Sequence, residues 1–161
     1  VSSQQHPYNL ISRALELESG RIKEKCLWLF SFLYDEEKIK KVKNGFELNT
    51  RESLANAFEL IEMTVPREFS SVFTIVFEKN DYAFMAARLK KYYQEHGLSI
   101  SAVAESVLAD KSRSYNDWTK ACVLYTGKKE PGLLKNAAVT PYLDSENMLI
   151  REIAELVAIK S

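Results

Sequence analysis

A stripe of apolar residues at helical spacing returns every 32 residues along this chain. Ile22, Leu54, Ala86, Trp118 and Ile150 stand at steps of 32. Seven residues further on, the same register reads Leu29, Ile61, Tyr93, Tyr125 and Val157. The intervening offsets of three and four give Lys25, Ala57, Leu89, Ala121 and Ile153, then Cys26, Phe58, Lys90, Cys122 and Ala154. Offsets of 0, 3, 4 and 7 lie on one face of an α-helix. A single helical face recurring at a fixed interval predicts stacked helix pairs, because each pair must bury its apolar face on the next. The expected fold class is all-α: a right-handed α-solenoid of helical hairpins, about four pairs plus an extra helix. A single domain over 1–161 is expected, with an N-terminal, partly mobile segment over 1–19 and repeats over 20–160.

Local signals place the elements. Tyr8 to Tyr34 reads as helix with a break at Ser19-Gly20. Asp35 caps a helix over 36–46, with Ile39, Val42 and Phe46 inward and Asn44-Gly45 as its frayed end. Thr50 caps a helix over 51–63, and Pro66 suits the first turn of the next. The run Phe69 to Phe77 fits a helical stripe, with a strand as the competing reading because of its β-branched and aromatic content. Further helices are expected over 82–95, 100–109 and 115–126. A Gly-Lys-Lys-Glu-Pro-Gly turn follows, then helices over 132–139 and 146–160, the last capped by Asp144 or Ser145.

Composition excludes several classes. Lys plus Arg and Asp plus Glu are both 22, so the net charge is zero and the basic balance of a nucleic-acid binder is lacking. No apolar run approaches the roughly 20 residues of a membrane span, and the first ten residues lack a signal-peptide pattern. His6 and His96 have no metal-ligating neighbours at ligand spacing, so no metal and no cofactor are expected. There is no phosphate loop and no nucleophile elbow. Cys26 and Cys122 sit among bulky apolar residues, as structural thiols do. Asp35, Glu36 and Glu37 at a helix start are explained by capping and the helix dipole. No catalytic residue is expected. The one candidate binding cluster is Lys38, Lys40, Lys41 and Lys43, on the second helix of a pair, the position that commonly lines the concave face of a solenoid.

Several segments resemble a known family. Leu33-Tyr34-Asp35, Ile39-Lys40-Lys41-Val42, the helix Arg51 to Leu60 and Val65-Pro66-Arg67-Glu68 are similar to the HEAT-like region that follows the membrane part of bacterial ATP/ADP-translocase-like transporters of the major facilitator class. Asp117-Trp118-Thr119-Lys120-Ala121-Cys122-Val123-Leu124-Tyr125 and Leu149-Ile150-Arg151-Glu152-Ile153-Ala154 are similar to its later helices. The resemblance covers about 20–160 and departs from the pattern over 77–112. The fold and the missing constellations point to a non-catalytic interaction or regulatory module. The resemblance implies a cytoplasmic setting beside a membrane protein, and a protein partner or adjacent domain of the same polypeptide; weak self-association is expected instead from Leu149, Leu156 and Ile159, an apolar seam on the last helix. The resemblance carries no transport residue to this chain. The alternative function is a nucleic-acid-binding solenoid of the DNA-glycosylase kind, which needs a basic concave face and a catalytic carboxylate.

Overall fold

The computed structural model describes residues 8–78, 81–92 and 98–158. They form α-helices and one 3-10 turn, with no strand among the described residues, so the fold is all-α. The helices are α1 (Asn9–Leu33), α2 (Glu36–Leu48), α3 (Arg51–Thr64), α4 (Arg67–Phe77), α5 (Tyr82–Leu89), α6 (Ile100–Ala109), α7 (Asp117–Lys129), α8 (Asn136–Val139) and α9 (Met148–Ala158). The 3-10 turn Thr140–Tyr142 follows α8. The chain divides into two compact units, one of residues 1–20 and 97–161, the other of residues 21–96. Helix α1 is continuous and contributes to both.

In the 21–96 unit the helices from α2 onward pack in sequence: α2 on α3, α3 on α4, α4 on α5. The α2–α3 hairpin is built from its corner. Asn49 takes the left-handed conformation (φ 54°) and donates its N–H to Gly45 O, ending α2. Thr50 and Ser53 then form a reciprocal capping box at 3.0 and 3.1 Å. Gly45 does not fray the helix as the sequence suggests. It is buried, and a Cβ there would lie 2.8 Å from Ser53 O and 2.9 Å from Ala57 Cβ. Its small size lets the two helices touch, and α2 runs on to Leu48. The core joins Leu27, Ile39, Val42, Ala57, Ile61, Val65 and Phe73. Phe73 stacks on Phe77 (centroids 3.8 Å) and meets Phe30 and Phe46 at 5.7 and 5.9 Å. The strand alternative for Phe69 to Phe77 is thereby settled as helix α4.

In the other unit α7 is the central helix. Thr119, Ala121, Cys122, Val123, Leu124 and Thr126 are all buried, so it is covered on most sides and has little amphipathic pattern. Around it Val107, Leu108, Val139, Ile150, Ala154 and Ile11 complete the core. Residues 9–19, expected as an N-terminal segment outside the repeats, form the first half of α1 and bury Ile11, Ala14 and Glu18. No break occurs at Ser19-Gly20.

Several helix boundaries differ from those expected from the sequence. Helix α7 runs through Gly127 to Lys129, because the absent Cβ of Gly127 leaves room for Leu134. The helix expected over 132–139 is only the single turn α8, since Gly132 takes φ 89° and Pro141 draws the chain into the 3-10 turn. Asn147, rather than Asp144 or Ser145, caps α9 by accepting from Leu149 N at 3.1 Å and Ile150 N at 3.4 Å. Helix α5 ends at Leu89, and residues 93–95 of the expected 82–95 helix lie outside the described residues. The repeating stripe is buried at Ala57, Ile61, Ala121, Cys122, Ile150, Ala154 and Val157. It is open to solvent at Ile22, Leu29 and Trp118, where stacked pairs would cover it.

Candidate functional site

The second half of α1 and the start of α2 enclose a groove of about 270 Å³. Glu24, Leu27, Trp28 and Ser31 come from α1, spaced along one flank at helical intervals. Glu36, Ile39, Lys40 and Lys43 come from α2 in the same spacing. Leu27 and Ile39 are buried and form an apolar floor. The Trp28 ring stands 60% exposed at the rim, with Lys43 Nζ 5.5 Å from its centroid. Ser31 Oγ donates to Trp28 O at 2.7 Å. Lys43 also lies 3.9 Å from Glu47.

All four candidate lysines are exposed, and the structure separates them. Lys40 and Lys43 line the groove, whereas Lys38 and Lys41 do not, and Lys38 sits 3.8 Å from Asp35 at the helix cap. The α1 half of the groove is not legible in the sequence. From Cys26 to Tyr34 that helix is apolar nearly all round, so periodicity does not say which side Trp28 faces. Glu24, four residues before Trp28, is the polar marker of the outward flank.

Magnitude decides what such a groove can hold. Small-molecule sites run roughly 300–1,000 Å³ and enclose most of the ligand. This groove is smaller and open at the rim, which suits one apolar side chain anchored between charges. Two ammonium groups and two carboxylates around an apolar floor favour a chain segment of mixed charge.

A second cavity, about 510 Å³, lies in the 1–20/97–161 unit between α6 and the α8 region, lined by residues that include Glu105, Leu108, Asp110, Lys135 and Tyr142. Several of its polar groups are engaged locally, although one Glu105 carboxylate oxygen is buried without a hydrogen-bond partner. Lys135 pairs with Glu105 at 3.3 Å, and the Tyr142 hydroxyl donates to Leu108 O. Hydrogen bonds from the Ser112 side chain and from the Tyr115 backbone hold the Asp110 carboxyl below its ordinary range. Burial, then the nearby Asp110 and Asp117 charges, pushes the Tyr142 hydroxyl up. Both groups are moved away from neutrality, the opposite of tuning for proton transfer. Burial likewise raises the thiols of Cys26 and Cys122, which keeps them protonated. Both histidines lie outside the described residues. Among the described residues there is no cluster of metal-ligating side chains and no helix long and apolar enough to cross a membrane.

Two buried polar residues escape a reading of the sequence. Glu18, 2% exposed, accepts from Asn116 N at 2.7 Å and Thr119 Oγ1 at 2.9 Å. It places a carboxylate at the N-terminus of α7, where the helix dipole favours it. Thr119 is the other, and no spacing rule links positions so far apart in the chain. Comparison with family models, curated proteins and solved structures finds no match to this chain.

Proposed function

We propose that this chain is a non-catalytic protein-interaction module in which the groove between α1 and α2 holds a segment of a partner protein or of an adjacent domain of the same polypeptide. The observation that carries the reading is the groove itself: an apolar floor of Leu27 and Ile39 with Trp28 at the rim and charges of both signs around it. Interaction hot spots are enriched in Trp, and an exposed Trp beside a small apolar pocket fits that pattern. The stepwise packing of α2, α3, α4 and α5 supports a HEAT-like helical stack. With the resemblance over 20–160, it supports assigning the chain to the cytoplasmic side of a transporter-like membrane protein.

The nucleic-acid reading is weaker at this site, because Glu24 and Glu36 share the groove with Lys40 and Lys43 and repel phosphate. The test is selection of binding peptides from a random display library, followed by titration calorimetry on the purified chain. Selected peptides are expected to share one large apolar residue flanked by charges. Trp28→Ala and Lys43→Glu should each weaken binding about tenfold, in line with hot-spot losses of about 1–2 kcal/mol. Peptide binding indifferent to both substitutions, or a salt-dependent gel shift with duplex DNA that Lys40→Glu abolishes, would refute the reading.

A further inference from the structure

The second cavity, about 510 Å³, falls inside the roughly 300–1,000 Å³ range of small-molecule sites, where the α1–α2 groove does not. Its walls come from α6, the loop after it, and α8 with the turn that follows. Ser101 Oγ donates to Leu133 O at 2.7 Å, and the Tyr142 hydroxyl donates to Leu108 O, so the walls are tied together at two places. Leu108, Ala138 and Pro141 make much of the lining apolar.

One charge in this lining is only half used. Glu105 Oε2 takes the Lys135 ammonium at 3.3 Å, while Oε1 is buried with no hydrogen-bond partner. A buried carboxylate oxygen without a donor is costly, and native structures nearly always supply one. Water is a poor substitute here, because an ordered water needs about two to four polar partners and the apolar wall offers few. Lys135 is a loose cover: its side chain is 80% exposed, against 28% for Glu105. An ion pair exposed on one side to that degree holds weakly. When Lys135 swings out, the broad terminal torsion of the glutamate lets its carboxyl turn toward the cavity. The surroundings also suit a cation. Helix α6 ends at Ala109, so its last carbonyls bring the negative end of the helix dipole to this lining, and the Asp110 carboxylate follows. Lys111 lines the cavity too, but it is exposed, where water and salt screen its charge.

We propose that this cavity binds a small primary amine, with its ammonium on the Glu105 carboxylate in place of Lys135 and a short apolar body against Leu108, Ala138 and Pro141. The protein's own lysine shows the chemistry, since a primary ammonium already sits on this carboxylate. An anion would be repelled by Glu105 and Asp110, and a neutral donor would leave the Glu105 charge unpaired once Lys135 moves away. Lys135 is then a tethered competitor for the site. None of these residues lines the α1–α2 groove, so the proposal stands apart from that reading.

Titration of the whole chain with pentylamine, followed by calorimetry and by amide chemical shifts, tests this. Pentylamine should saturate with a Kd on the order of 1 mM, ordinary for a ligand of about six heavy atoms. The shifts should concentrate in α6 and in residues 135–142. Pentanol and pentanoate should not bind over the same range. Glu105→Gln keeps the shape of the side chain and should weaken amine binding by about tenfold or more. Lys135→Ala should tighten it several-fold, because the competing ammonium is gone; Lys135 is exposed enough for the variant to fold. Loss of binding in Lys135→Ala would make that lysine part of the wall and overturn the proposal. So would a titration that never saturates, as for a cavity that holds water only, pentanol binding as well as pentylamine, or amine binding that survives Glu105→Gln.

Discussion

Glu18 is the residue whose role is furthest from its appearance in the sequence. An acidic side chain in the middle of a helix reads as a solvated one, yet this carboxylate is buried and satisfies the backbone of Asn116 and the hydroxyl of Thr119. Glu18→Ala leaves one buried and one half-buried donor without that acceptor and should cost roughly 2–4 kcal/mol. Glu18→Gln keeps an acceptor and should cost visibly less in the same urea titration. Equal losses would mean the charge, not the hydrogen bonds, holds α7. Two helical glycines make a matched pair. At Gly20 an added methyl group would meet nothing within 4 Å, so Gly20→Ala should stabilise by about 0.5–1 kcal/mol through helix propensity. Gly45→Ala forces a methyl to 2.8 Å from a backbone oxygen and should destabilise by about 1–3 kcal/mol despite the same propensity gain. Stabilisation at Gly45 would show that the α2–α3 contact gives way easily.

At the scale of elements, the sequence is most legible where a cap and a stripe agree. The N-caps Asp35, Thr50, Asp81, Ser99 and Asn116 all accept from the backbone three residues on, and α2, α3 and α6 begin where those caps place them. Legibility fails where glycine serves packing instead of punctuation, at Gly45 and Gly127, and where α1 is apolar on every side. The groove is half legible for that reason: lysines on α2 stand out against a polar helix, while Trp28 is lost in an apolar run. The loop after α6 gives a pH prediction. Asp110, bonded by Ser112 and Tyr115, has a depressed pKa in the folded chain. Its contribution is therefore complete above the ordinary value of 3.8 and fades as pH falls through the folded value. The stability gap between wild type and Asp110→Asn should be constant near neutrality and close in acid; a gap that persists in strong acid would refute the assignment. Helix α9 gives another. Ile150, Ala154 and Val157 are buried, and α9 packs on α7. A chain truncated before Met148 should lose cooperative melting or aggregate, and an unchanged melting temperature would show that α7 does not need this cover.

For the whole molecule, the two apolar clusters have no residue in common: one centres on Val107, Leu124 and Ile150, the other on Val42, Ile61 and Phe73. The 32-residue stripe could not reveal this, because it runs in the same register through α3, α7 and α9 although α3 builds one core and α7 and α9 the other. What the two cores do share is α1, whose residues 9–20 serve the first and 21–33 the second. Cavity substitutions then make a test of how far stability is local. Phe73→Ala and Ile150→Ala should cost about 3–5 and 2–5 kcal/mol. Amide hydrogen exchange, read residue by residue, should show where each loss falls. Phe73→Ala should speed exchange in α2, α3 and α4 and spare α7 and α9. Ile150→Ala should do the reverse. Helix α1 is the informative element, for its amides should divide near Gly20, the first half following Ile150→Ala and the second following Phe73→Ala. Exchange that rises evenly along the whole chain in either variant would mean that α1 fuses the two cores into one cooperative fold.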